Sequence, residues 1–138
     1  MKIFTSRFSH QIPDELQAVG IAIGEPKWRL PYSVVYYKKI APYGSFGIED
    51  EREFKKSYFR QLNKIGFENI KSDLEQLSKQ FGDKDLVLLC YENTAHDWCH
   101  RTHFSQWWEA NTGELLPELE VIEQMEKDKD KWEQLDLF

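Results

Sequence analysis

The chain has 138 residues, a net charge of −6 and 14% aromatic residues, among them five Trp, six Tyr and nine Phe. That length suits one domain, and that aromatic content supplies the apolar volume for one core, which excludes a disordered chain. Apolar runs fall short of the roughly 20 residues that span a bilayer, so no membrane-spanning helix and no membrane partner are expected.

Elements follow in chain order. KIFTS alternates and is β-prone, predicting a strand over Lys2–Ser6. SHQIPDE reads as a turn. LQAVGIAI, Leu16–Ile23, is continuously apolar and predicts a buried strand of a parallel sheet. GEPKWRLPYS, with Gly24, Pro26 and Pro31, is loop. VVYYKKIAP is a short β-prone stretch ending at Pro42, and YGSFGI is loop again.

Phe54, Tyr58, Leu62 and Ile65 are spaced as one helix face, predicting a helix from about Asp50 to Lys64. Ile70, Leu74, Leu77 and Phe81 do the same from about Glu68 to Gln80, with Gly66 and Gly82 as stops. DLVLLCYE, Asp85–Glu92, is the strongest strand and should be central. A third helix runs from about Cys99 to Asn111, with Phe104, Trp107 and Trp108 on its apolar side, ended by Gly113. Leu115–Val121 suggests a short last strand. The charged segment EQMEKDKDKWE suits a solvated helix or a flexible tether equally.

Strands alternating with helices predict an α/β fold: a single compact Rossmann-like domain over residues 1–121, with a mostly parallel sheet and flanking helices. An acidic C-terminal tail follows over residues 122–138. From Glu114 to Phe138 nine acids face three lysines, whereas the first 113 residues hold fifteen acids and fifteen bases. The acidity therefore belongs to the tail, and a neutral body is free to carry a local basic face. The start of the chain, MKIFTSRFSH, shows no charged-then-apolar leader pattern. With Cys90 and Cys99 as its two cysteines, read as thiols, ligands or reactive groups, a cytoplasmic protein is expected.

Ligands of such folds bind beyond the carboxyl ends of strands. That rule places Ser6, Arg7, Gly24, Cys90, Tyr91 and Glu92 on the candidate rim. The chemistry concentrates in LLCYENTAHDWCHRTH. A buried strand delivers Cys90 and Glu92, and a helix start delivers Cys99, His100 and Arg101. A helix N-terminus favours anions, and a guanidinium fork suits a phosphate or carboxylate. A thiol beside His and Arg has its pKa lowered toward a reactive thiolate. Cys99, Glu92 and His100 are thus the candidate catalytic groups.

Three readings of this cluster stand side by side. It binds an anionic small molecule or nucleotide through Arg101, with Lys38 and Lys39 as further anion-binding candidates. Or Cys90, His96, Cys99 and His103 (or His100) bind zinc, although C-x5-H-x2-C-x3-H is not a common zinc spacing and no cofactor is the primary expectation. Or the cysteines are small buried apolar residues and Arg101 makes internal hydrogen bonds. Trp28 and Arg29 either stack on a base at the pocket mouth or cover the core edge.

YKKIAP (Tyr37–Pro42), LLCYE (Leu88–Glu92) and CHR (Cys99–Arg101) resemble the small bacterial proteins grouped as domain-of-unknown-function family 488. The resemblance covers most of residues 1–121. It implies a compact α/β domain with site positions Cys90, Glu92, Cys99, His100 and Arg101, and Lys38 or Lys39 and Pro42 nearby. It supplies no substrate or reaction. The departure is the eight-residue spacer between the cysteines, with His96, Asp97 and Trp98, which reshapes the pocket mouth.

The chain closes on QLDLF, which resembles letter for letter the bacterial sliding-clamp-binding pentapeptide, Gln-Leu-(Ser or Asp)-Leu-Phe. A chance match is on the order of one in a million per position. In this reading Leu137 and Phe138 fill an apolar pocket and Leu135 takes a second depression. Gln134 bonds the pocket rim, and Asp136 keeps the peptide extended. The expected partner is the polymerase sliding clamp, with DNA reached indirectly through it, in a DNA repair or DNA-processing role. Whether the body is an enzyme stays open. The alternatives are a non-enzymatic protein that blocks the clamp, and a nucleotide-binding or metabolic protein whose tail packs on itself.

Overall fold

The computed structural model describes residues 1–91 and 99–136, with side chains described up to residue 131. Among the described residues the strands are β1 (Ile3–Arg7), β2 (Leu16–Gly20), β3 (Val34–Tyr36) and β4 (Asp85–Cys90). The helices are α1 (Glu51–Ile65), α2 (Phe67–Gln80), α3 (His100–Thr112) and α4 (Leu119–Asp136). The strands form one parallel sheet in the order β1-β4-β2-β3. The most apolar strand, β4, is interior as expected, between β1 and β2.

Alternation along β4 builds two cores. Leu86 and Leu88 point to the face covered by Tyr58 and Leu62 of α1, Ile70 and Leu74 of α2, and Phe104 and Trp107 of α3. Val87 and Leu89 point to the opposite face, where Phe8, Ile12 and Leu119 cover them. A strand buried on both faces needs apolar residues at both parities, which is why DLVLLC reads as a continuous run. The result is the Rossmann-like α/β domain expected, and no described helix is long and apolar enough to cross a membrane.

The helix pair follows its stripes. Asp50 caps α1 by accepting from the Glu53 amide at 3.0 Å. Gly66 separates α1 from α2 at φ 97°, a conformation open to glycine and strained for other residues. Gly20 has a different reason to be glycine. It pairs with Tyr36 across β2 and β3, and a Cβ there would meet the tyrosine ring at 2.5 Å.

Three expected spans shorten or change. The second strand stops at Gly20 rather than Ile23, and VVYYKKIAP gives three strand residues and then a 3-10 turn at Lys38–Ile40. Leu115–Val121 is not a strand. Among the described residues its backbone pairing with the sheet is one bridge, Thr5 to Glu118, where the Thr5 amide donates to the Pro117 carbonyl at 3.0 Å. Pro117 has no N–H to continue a ladder, and the chain turns helical at Leu119.

That bridge covers the open edge of β1 and sets the course of α4. Arg7 donates from Nε and Nη2 to the two carboxylate oxygens of Glu120 at 2.6 and 3.2 Å. His10 Nε2 lies 2.8 Å from Glu123. With Leu119 buried, these contacts fix the first turns of α4 on the body. The helix crosses residues 121 and 122 without a break, so the charged segment is helical where a tether was equally plausible.

Candidate functional site

The site lies where β4 ends and α3 begins. β4 ends on Cys90, whose side chain is fully buried, and Cys99 occupies the N-cap position of α3. The two sulfurs are in bonded contact, with Cα atoms 7.6 Å apart. Both lie over the Tyr91 carbonyl, at 3.4 Å for Cys90 and 3.6 Å for Cys99.

His100 points back across the sheet, its Nε2 3.0 Å from the carbonyl of Ile21, the residue after β2. A carbonyl only accepts, so Nε2 carries the hydrogen and the neutral ring leaves its lone pair on Nδ1. That Nδ1 lies 3.8 Å from the Cys99 sulfur. Burial pushes the His100 pKa down to about 4, and the charges of Arg101 and His103 act in the same direction, against the Ile21 hydrogen bond.

The sign of the consequence follows from the two states. The unfolded chain protonates this residue near pH 6.5 and the folded chain only near about 4. The stability held by the neutral ring is complete above that window and lost as pH falls through it, by roughly 3 kcal/mol at most. Urea unfolding of His100→Gln across the window is expected to give a flatter profile than the parent. Parallel profiles would mean that the ring is solvated in the folded protein.

Arg101 is a junction. Its Nε donates to Glu118 at 2.7 Å and its Nη1 to the Cys90 sulfur at 3.0 Å. Its side chain is 16% exposed and that of Glu118 33%. Glu118 also accepts from the Thr5 hydroxyl at 2.6 Å. One carboxylate thus joins β1, α3 and the entry of α4. The rim next to it is aromatic: Tyr91 lies 5.0 Å from Phe8 and 6.0 Å from Trp28, and its hydroxyl donates to the Gly24 carbonyl at 3.0 Å.

Cys90, Cys99, His100 and Arg101 therefore meet. The ligand atoms of the two cysteines and His100 lie within 4.8 Å of one another, a grouping that could hold a soft cation only with the two sulfurs reduced to thiolates. His103, the member of the zinc set for which His100 is the alternative, faces α1 instead: Nε2 is 3.5 Å from Glu51 and the ring 5.7 Å from Phe54. Burial lowers its pKa. Lys38 reaches Glu25 at 3.6 Å and stands over the Tyr36 ring, while Lys39 reaches Asp73 of α2 at 3.4 Å. Trp28 and Arg29 are exposed in the loop after β2. Glu92 and His96, and Leu137 and Phe138 of the pentapeptide, lie outside the described residues, and Gln134, Leu135 and Asp136 are described as backbone of α4.

Sequence reasoning missed Thr5, Glu118 and the Ile21 carbonyl. A carboxylate 17 positions after Arg101 and a hydroxyl 113 positions before Glu118 leave no spacing signal. Comparisons with family models, curated proteins and solved structures found no match.

Proposed function

We propose that this is a cytoplasmic, sliding-clamp-associated DNA repair or DNA-processing protein, in which α4 carries the QLDLF pentapeptide and the body carries the site at Cys90, Cys99, His100 and Arg101. The observation that supports the reading is the exposure of α4. Every residue from Gln124 to Lys131 is exposed. Eight consecutive residues cover more than two turns, and a helix lying on the body would bury one face of each turn. Within the stretch Gln124 donates to Asp128 one turn on, at 3.1 Å. A stalk of this kind suits delivery of a terminal peptide to a partner. Docking on a clamp that encircles DNA raises the local concentration near DNA without a basic face on the body. In the body, an anion or nucleotide ligand would exchange with Glu118 on Arg101, because Glu118 already takes Nε.

A second reading has the body as a plug that blocks the clamp without chemistry. The engagement of Arg101 Nε by Glu118 and of Nη1 by Cys90 favours it.

The test is binding of the full chain to purified bacterial sliding clamp, beside a chain lacking residues 134–138 and the variant Leu137→Ala/Phe138→Ala. Each apolar side chain seated in a pocket contributes about 1.5–3 kcal/mol. Both altered chains are therefore expected to bind at least about 100-fold more weakly. Equal binding by all three, or no binding by the full chain, would remove the clamp from the proposal.

A further inference from the structure

We infer that Cys90 and Cys99 form a dithiol–disulfide redox centre whose substrate class is low-molecular-weight disulfides and thiols. The inference is independent of clamp docking.

Three observations carry it. First, two cysteines from different elements meet sulfur to sulfur, one at the end of the central strand and one at the start of a helix. Second, the two differ in access. Cys90 is fully buried, whereas Cys99 is partly exposed at the helix start. That asymmetry separates an attacking thiol from a resolving one. Third, each sulfur has a group that favours its thiolate. Arg101 donates to Cys90 at 3.0 Å from a side chain that Glu118 holds in place. Cys99 sits at the positive end of α3, with the Nδ1 of His100 at 3.8 Å.

Cys99, at the positive end of α3, gives its proton to solvent, and its thiolate attacks one sulfur of the substrate disulfide. The substrate S–S bond breaks, and one thiolate leaves and takes up a proton from solvent. The result is a mixed disulfide on Cys99. Cys90 then loses its proton and attacks the Cys99 sulfur, and the second substrate thiolate leaves with that proton. Two protein thiols and one disulfide become one protein disulfide and two thiols. The two electrons lost by the cysteines reduce the substrate.

The centre also has an outlet into the fold. Nη1 of Arg101 donates at 3.0 Å to the Cys90 sulfur while that sulfur is bonded to Cys99, and a Cys90 thiolate formed during exchange would accept from it more strongly. Once bonded to Cys99 that sulfur carries no charge and accepts more weakly. Arg101 then depends more on Glu118, the residue before α4.

The test uses the full chain, reduced and then equilibrated with mixtures of glutathione and glutathione disulfide, with thiols alkylated and weighed by mass spectrometry. The expected result is one two-electron transition to an intramolecular disulfide, absent from both single variants. Cys90→Ser is expected to accumulate a glutathione adduct on Cys99. Cys99→Ser, which keeps a good helix cap, is expected to react at the buried Cys90 roughly 100-fold more slowly. Equal adduct formation in the two single variants would overturn the assignment of roles. An absence of intramolecular disulfide at every ratio would overturn the redox centre. So would zinc, added alone to the reduced chain, binding at one equivalent and blocking alkylation of both thiols at every glutathione ratio, a result that assigns the cluster to a metal.

Discussion

Phe104→Ala is expected to lower the unfolding free energy by about 3–5 kcal/mol, the range for emptying an aromatic site in a core. Phe104 is fully buried in the middle of α3, with the rings of Trp107 and Trp108 at 5.8 and 6.1 Å. It belongs to the core that includes Leu86 and Leu88 of the central strand. A domain of this size has a total stability on the order of 7–20 kcal/mol, so the loss is a large fraction of it. The local consequence matters as much. α3 starts with His100 and Arg101, and Phe104 is one turn further on. Loosening that turn should raise hydrogen exchange at the helix start before the rest of the sheet opens. The check is a denaturant midpoint together with exchange at residues 100–104. A loss below about 1 kcal/mol would mean that the aromatic group repacks and that α3 is not anchored there.

Arg101→Ala is the second large effect, expected at about 2–3 kcal/mol. Removing one partner from a fully buried ion pair costs about 3–5 kcal/mol because the other charge is stranded. Here Glu118 keeps some solvent and the Thr5 hydroxyl, so the lower figure applies. Arg101→Lys should recover only part of the loss. A single ammonium on a flexible stem does not reproduce a fork that holds Glu118 with Nε and the Cys90 sulfur with Nη1. A double-mutant cycle with Glu118→Gln isolates the pair. Losses that add within about 0.5 kcal/mol would show that the two side chains act separately.

Much of the architecture was legible because it is written in periodicity. The stripes Phe54, Tyr58, Leu62 and Ile70, Leu74 predicted two helices, and burial of those residues in one core follows from the spacing alone. The run in β4 predicted an interior strand because burial on both faces leaves no polar parity. The local part of the site was also legible. Cys99, His100 and Arg101 are neighbours at a helix start, and Cys90 ends a strand that points at the same edge.

What escaped is whatever depends on long closures. The contacts of Arg7 with Glu120 and His10 with Glu123 join residues 113 positions apart, and nothing local distinguishes those glutamates from their neighbours. Leu115–Val121 misled because apolar and β-branched residues suit either state, and Pro117 decided the outcome by lacking a donor. The zinc set named His96 and His103, with His100 as the alternative to His103. His103 follows Cys99 by one helical turn, but α3 begins at His100, and the rotation of that first turn aims His100 at Ile21 and His103 at Glu51.

The strand order has a consequence for how the protein is made. β1 and β2 are not hydrogen-bonded to each other, because β4 lies between them, and β4 ends at residue 90. On the ribosome the first two strands therefore emerge well before the partner that joins them. During that interval the apolar edges of LQAVG and IFTSR are open to other chains. The α1–α2 pair closes locally over residues 51–80 and can form while the sheet waits. The peptide that we propose docks on the clamp follows β4, the strand that completes the sheet, so a chain able to present it has already received all four described strands.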